Sequence, residues 1–453
     1  MTSTGEVPVS DTAPAATVAA GSARLFWAQI VGNAGLFVAM LLIARALGPS
    51  GRGTIAFITV MSMLLAWIAR LGVSEATVVF AAQRPSARPV LLANHLAFSA
   101  TAGALGAALA CSALVVAPSI RPSGLGRAEL AALAVSVVAA TLAGAGYTFV
   151  LGCSRFRLHA LVTTTTSWLY AAVIALAWVT VGLTAARAAF AWAAVHGLRA
   201  LMLFSASILD VGLRRPGLPL LGESMRFGLR AWVGTFADAL TFRVDQIILA
   251  VLASEAALGI YAVAVNASEF LLYLTGGAAM ALLPVVAGSA PEVRAERTLH
   301  AFRSVALATA ASVGVAAFLG PALLPLAFGS RFEDSVAPFL WLLPGVLGTV
   351  LLAIFTNALV ASSAPGLSSL GPLVSLFVGV TLDFVLIPPF GASGAAAAAS
   401  AAFIAGGVTA LLAYRTRERF PWRAVLLPRH GDLDILRALV SALPRPSLRR
   451  GAP

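Results

Sequence analysis

Along the chain, long apolar runs alternate with short clusters of arginine, proline and glycine. A hydrocarbon core of about 30 Å takes roughly 20 apolar residues per helical crossing. On that measure the runs predict twelve spans, near 25–44, 53–69, 90–117, 128–152, 158–182, 187–209, 231–252, 256–286, 304–327, 336–361, 367–389 and 394–414. The segment 210–230, DVGLRRPGLPLLGESMRFGLR, divides them six and six. It predicts a cytoplasmic linker between an N-terminal six-helix lobe, 23–209, and a C-terminal six-helix lobe, 231–414. Residues 1–22 are small, polar and Pro-containing, with no positive charge before Arg24. They read as a disordered cytoplasmic tail rather than a signal peptide, and the first apolar run as an uncleaved anchor.

Composition sharpens this picture. With 60% hydrophobic and 11% charged residues, the chain has no room for a large soluble domain. The fold class predicted is an all-α polytopic membrane protein. All 30 basic residues are arginine, and their distribution is lopsided. Arg24, twelve arginines of the even-numbered loops and nine after position 414 lie on one side, against six in the odd-numbered loops, Arg45, Arg52, Arg121, Arg127, Arg187 and Arg331. The positive-inside rule then puts both termini in the cytoplasm. A net charge of +12 reads as topology signal and affinity for anionic membrane lipid, with no soluble basic domain to bind nucleic acid. Cys111 and Cys153 lie in or beside apolar runs and predict neither a disulfide framework nor a metal site.

The two halves echo each other. "LIARALGPSGRGTIAFITV" joins spans one and two, and "LAVLASEAALGIYAVAV" joins spans seven and eight. Gly53 and Gly259 each open the later helix, with Ala56 and Ala262 three residues on. Together with "LLPLAFGSRFEDSVAPFLWLL" and "LIPPFGASGAAAAASAA", these elements stand in the order found in the polysaccharide-biosynthesis oligosaccharide flippases. The chain resembles that family, part of the multidrug/oligosaccharidyl-lipid/polysaccharide exporter superfamily, from about Arg24 to Tyr414. The resemblance implies two six-helix lobes around a central cavity and alternating access. It also implies movement of polyprenyl-pyrophosphate-linked glycan across the bacterial inner membrane.

Candidate chemistry centres on "LTFRVDQIILAVL", residues 240–252. Ten Leu, Ile, Val or Phe residues between 231 and 252 contribute about −5 kcal/mol to insertion, which Asp238, Arg243 and Asp245 could oppose by up to about +8 kcal/mol. Their polar face therefore turns to other helices or to a wet cavity. As one continuous helix, span seven would bring Asp238 and Asp245 to one face and set Arg243 opposite, roughly 18–20 Å deep. A guanidinium there suits a diphosphate, or an acid on a neighbouring helix. Asp245 offers either a helix-to-helix hydrogen bond or a transport role.

Arg199 in span six is the second candidate for a phosphate, with His196 near it as a packing residue. Glu269 in span eight could pair with Arg243 or carry a coupling proton, and Asp383 in span eleven and Asp245 are further coupling candidates. Gln29 and Asn33 in span one suit sugar hydroxyls or helix packing, and Asn94 and His95 add polar groups to span three.

No Walker loop, nucleophile elbow or metal-spaced cluster occurs, so no enzyme activity, cofactor or metal is expected. Three function classes remain. The favoured one is a lipid-linked oligosaccharide flippase, with polymerase, ligase or glycosyltransferase enzymes as partners. A cation-coupled drug exporter would be expected to need acids in the first lobe, where Glu75 and Glu129 lie only near span ends. A membrane glycan polymerase or glycosyltransferase would need a catalytic loop that these short connections do not provide. The tail 415–453, with "WRAVLL" and "DILRALV", reads as basic and cytoplasmic, either a surface-lying amphipathic segment, a partner contact or disorder.

Overall fold

The computed structural model describes residues 15–118, 121–287, 291–362, 364–426 and 432, with side chains from Ile30 onward except at 231, 233–235, 237–238, 273–287, 291–292, 365 and 426. The described residues form helices joined by short turns, as a bilayer demands when it offers no water to backbone amides. The first half comprises α1 (Ala15–Ala69), α2 (Val73–Gln83), α3 (Arg88–Val116), α4 (Arg127–Gly152), α5 (Phe156–Thr180) and α6 (Ala185–Val211). The second comprises α7 (Leu218–Thr241), α8 (Val244–Leu252), α9 (Glu255–Ala287), α10 (Pro291–Phe328), α11 (Val336–Ala361), α12 (Pro365–Ser368), α13 (Leu370–Arg417) and α14 (Arg423–Leu426).

Twelve crossings follow once the kinks are read. Helix α1 turns back at Gly48, whose φ of 70° suits glycine, followed by Pro49, and so supplies spans one and two. At Gly391, φ 54°, α13 turns likewise just after Pro388 and Pro389, supplying spans eleven and twelve. Span seven is shared between α7 and α8. The helices group into two six-span lobes, and α1 and α9 are the main meeting point between them. Below, the side of the molecule where α1 starts and α13 ends is called the terminal face, and the other the far face.

Three sequence expectations change. Residues 15–22, expected as disordered tail, begin helix α1, while 1–14 lie outside the described residues. The linker expected over 210–230 reduces to 212–217, because "LPLLGESMRFGLR" continues the helix of span seven toward the terminal face. Arg52, counted as a loop residue, is 4% exposed inside the second half of α1.

In the second lobe, α11 and α13 approach almost backbone to backbone through Gly345, Gly348 and the alanine-rich run, with Gly345 N–H donating to Ser400 Oγ at 3.0 Å. The chain beyond α13 is strapped to α10. Arg303 is 5% exposed and donates from Nε to Asp432 Oδ2 at 2.6 Å and from Nη1 to Ala424 O at 2.5 Å. His300 Nδ1 meets Asp432 Oδ1 at 2.5 Å, and Arg415 lies over the Trp422 ring at 4.1 Å. Most of the tail, including "DILRALV", lies outside the described residues. Removing one member of a buried pair costs about 3–5 kcal/mol. Arg303→Ala is therefore expected to lower the unfolding midpoint of the detergent-solubilised protein by several degrees, more than His300→Ala does, in a thermal melt.

Candidate functional site

Span seven breaks where its charge sits. Phe242 and Arg243 leave the helix, Arg243 N–H closes a tight turn on Leu240 O at 3.0 Å, and α8 resumes at Val244. The expected register of a continuous helix, with Asp238 and Asp245 on one face, does not carry across this break. The side chain of Asp238 lies outside the described residues.

Released from the helix, Arg243 donates from Nη1 to Glu269 Oε1 of α9 at 2.7 Å. The two side chains are 32% and 19% exposed, so the pair is neither sealed in the core nor free in water. A guanidinium presents its N–H donors as a planar fork that fits carboxylate and phosphate oxygens alike. The first-turn amides of α8 add a positive helix end at the same level, of the kind that broken membrane helices turn toward anions.

Asp245 follows within the first turn of α8 and is buried. Its carboxylate receives a short hydrogen bond from the Tyr261 hydroxyl of α9 and a 2.7 Å bond from Gln246 N–H. Asp383 of α13 is 1% exposed, with Oδ1 lacking a hydrogen-bond donor among the described residues. It lies within electrostatic reach of both Asp245 and Tyr261. Thus two pairs stand at the break in the second lobe, Arg243 with Glu269 and Asp245 with Tyr261, and Asp383 is within electrostatic reach of the second. Sequence reading missed that tyrosine, although it stands in the quoted element "LGIYAVAV".

Arg199 sits elsewhere. Its Nε donates to Thr166 Oγ1 at 3.0 Å between α6 and α5, inside the first lobe. His196 is buried, with Nδ1 3.0 Å from Trp192 O and its ring 4.1 Å from the Trp192 ring. Asn33 is half-buried in α1, Nδ2 unbonded, beside Gly32 and Gly35, which pack on Thr164 and Trp168 of α5. The Gln29 side chain lies outside the described residues. His95 is buried against Ser74 Oγ at 3.2 Å.

The lobes touch at both faces around this group. Toward the far face, Phe37 of α1 stands 6.0 Å from Phe270, one residue beyond Glu269, and 5.7 Å from Phe328. Gly53 and Gly259 meet there reciprocally. A Cβ on Gly53 would overlap the carbonyl of Glu255, and one on Gly259 would overlap the carbonyl of Pro49. Gly53 and Gly259 are 206 positions apart, as are the Pro49 and Glu255 whose carbonyls they face, so the repeat seen in sequence is a pseudo-twofold contact in space. Glu255 completes the closure, accepting from Ser123 Oγ at 2.9 Å and, in a short bond, from Gly124 N–H. Arg45 of the first lobe donates to Ala327 O and Leu326 O of the second, both at 2.6 Å.

At the terminal face, α7 lies across the first lobe. Gly72 and Gly228 are in backbone contact, Asn94 exchanges two hydrogen bonds with the Gly217 backbone, at 3.0 and 2.7 Å, and Trp232 Nε1 donates to Trp67 O at 3.0 Å. Arg84 forks onto Glu223 at 2.7 and 3.0 Å, and those hydrogen bonds hold the Glu223 carboxyl below its usual range.

The family described as "Polysaccharide biosynthesis protein" matches residues 42–337 of the 453. No curated protein matches the chain. Among solved structures, the lipid II flippase MurJ in an inward closed conformation is similar with a TM-score of 0.72 at 15% identity, covering 94% of each chain. An inward-facing multidrug resistance MATE family transporter of the MOP superfamily is similar with a TM-score of 0.70 at 16% identity, over 85% of this chain and 94% of that one. An outward-facing transporter so described gives 0.56 at 15% identity, over 88% and 95%.

Proposed function

The chain belongs to the polysaccharide biosynthesis protein family, and from that premise we propose that it flips a polyprenyl-pyrophosphate-linked oligosaccharide from the cytoplasmic to the outer leaflet of the bacterial inner membrane. The observation that carries this reading is Arg243 at the break of span seven, an arginine inside the membrane whose acid partner is only partly enclosed. The arginine count makes the terminal face cytoplasmic, with both termini there. The far-face seam is then the outer gate and α7 the inner strap. The lobes 23–209 and 231–414 rock about the cavity in alternating access.

In this cycle the diphosphate enters beside α8 and competes with Glu269 for the Arg243 fork. Charge-assisted hydrogen bonds to phosphate hold the headgroup, while the polyprenyl tail remains in lipid. Glu269, displaced, is free to take a proton. Asn33 and Gln29 on α1 offer amides for sugar hydroxyls, and Arg199 is a secondary phosphate contact on the first-lobe side. The chain works as a transporter without covalent chemistry of its own, handing glycan lipid to polymerase or ligase enzymes.

Two buried acids within electrostatic reach of each other, Asp245 and Asp383, favour a cation-coupled step and give the drug-exporter reading its strongest support. In the flippase they serve as the coupling site. Asp383→Asn is expected to leave passive movement intact and abolish its acceleration by a proton or sodium gradient, measured by collapsing each gradient in turn in proteoliposomes.

The deciding experiment follows a labelled polyprenyl-pyrophosphate oligosaccharide between the leaflets of liposomes containing the purified chain. Transfer above protein-free vesicles supports the flippase. No transfer, with expulsion of organic cations down an ion gradient, replaces it with the exporter.

A further inference from the structure

Glu255 has no role in the pairs at the break of span seven, and its place in the far-face seam raises a separate question. The backbone contact there is matched between the lobes, since Gly53 faces the carbonyl of Glu255 and Gly259 that of Pro49, each four residues before the partner glycine. Side chains break the match. Where the first lobe has a proline the second has a carboxylate, and that carboxylate crosses the seam. Its Oε1 accepts from Ser123 Oγ at 2.9 Å and, in a short bond, from Gly124 N–H, both in the connection between α3 and α4. Its Oε2 lies 3.5 Å from Thr54 Oγ1 on the second half of α1, a hydroxyl that also reaches Ser50 O at 3.2 Å.

Gly124 shapes the socket. A Cβ there would stand 2.5 Å from Glu255 Oε2 and 2.6 Å from Thr54 Oγ1, so the carboxylate fills space that only a glycine leaves open. Among the described residues no arginine pairs with Glu255. On α1, Arg45 is occupied by the carbonyls of Leu326 and Ala327, and Arg52 is buried. After α10, the Arg331 guanidinium lies against Gly48, while Glu333 and Asp334 are exposed. In the α3–α4 connection, Arg121 and Arg127 are exposed and Glu129 lies against Gly126. On α9 itself, Tyr261 is committed to Asp245. The seam is therefore fastened by one acid and neutral donors. Hydrogen bonds to an ionised acceptor are roughly twice as strong as neutral ones. A proton on this carboxylate removes the charge and turns an acceptor oxygen into a donor, so it weakens the fastening.

We infer that Glu255 is a gating residue, a carboxylate latch that holds the far-face seam shut while ionised and releases it when protonated or removed. The inference rests on the seam being a gate, as proposed above, and not on which substrate passes it. The two parts of the seam then have separate tasks. The glycines let the backbones touch, and the acid makes the contact releasable from outside.

The test labels Ala262→Cys with an impermeant maleimide in proteoliposomes of the full chain lacking Cys111 and Cys153. Ala262 is 2% exposed and lies one turn beyond Gly259 on the same side of α9, so its thiol is reached when the seam parts. Arg121→Cys, at an exposed position, is labelled in parallel and removes the effect of pH on the thiol itself. With Glu255 present, relative labelling at 262 is expected to rise several-fold as the outside pH falls from about 7.5 to about 4.5, toward the range in which carboxylates take up protons. Glu255→Gln is expected to label quickly at both ends of that range. Gly124→Ala, which keeps the acid and fills its socket, is expected to do the same, and it decides the matter if Glu255→Gln does not fold. Glu129→Gln should keep the full pH response. A flat profile with Glu255 present overturns the inference, as does an undiminished pH response in Glu255→Gln or Gly124→Ala. No glycan lipid is present, so a failed latch and a failed flippase reading give different results.

Discussion

Gly259→Leu is expected to insert normally and to lose transport, and Gly53→Leu to do the same. Each glycine faces a backbone carbonyl of the opposite lobe at a distance no Cβ can occupy, so a side chain at either position holds α1 and α9 apart. Overpacking a close contact costs about 1–3 kcal/mol, or a shift of roughly five- to 150-fold against the closed seam. The leucine, larger than a methyl, belongs at the upper end. Because the contact is reciprocal, the two variants should be alike, whereas Gly314→Leu on α10, which has open space at its Cβ, should transport normally. The check is leaflet transfer in liposomes together with labelling of Phe37→Cys by an impermeant maleimide in a background lacking Cys111 and Cys153. Labelling from the far face should rise in the Gly259 variant. If labelling and transport both match wild type, the seam is not a gate.

Arg243→Ala is the second large effect, and Glu269 makes it interpretable. Were the arginine present only to satisfy Glu269, removing both would restore transport, because neither charge would be stranded. If instead it holds the diphosphate, Arg243→Ala with Glu269→Ala should remain as inactive as Arg243→Ala alone. Glu269→Gln, which frees the fork, should keep substrate affinity or improve it. Hydrogen bonds to charged groups contribute about 1.5–3 kcal/mol each, so the half-saturating concentration of glycan lipid should rise roughly ten- to hundredfold. A double-mutant cycle on transport rate measures the coupling directly. Full recovery in the double variant would assign Arg243 to packing.

Sequence made much of this legible. The apolar runs follow from bilayer thickness alone, and Gly53 with Gly259 stood out because only glycine serves where two backbones touch. The connection between Arg243 and Glu269 was also within reach, since an unpaired charge in a membrane helix calls for a partner. The break at Phe242 and Arg243 was not, because "LTFRVDQII" contains neither proline nor glycine and reads as uninterrupted helix. Contacts with neighbouring helices override that local preference. Helix α7 was cut short for a related reason. "LPLLGESMRFGLR" is too polar to read as a span, yet it is helical because Phe227 packs on Phe80 and Glu223 meets Arg84 in the first lobe. Arg52 counted as a loop residue because charge near a span end ordinarily marks water.

The division of span seven has a mechanical consequence. Its first rod, α7, is fastened to one body through Gly228, Gly217 and Glu223, and its second, α8, to the other through Asp245 and Tyr261. Arg243 occupies the pivot between them. Whenever the two bodies tilt relative to each other, the angle at that pivot must change, and the guanidinium sweeps an arc. In the cycle proposed above, the charge that grips the headgroup is thus less a mooring than a swinging arm, turned by the same motion that opens the path ahead of it.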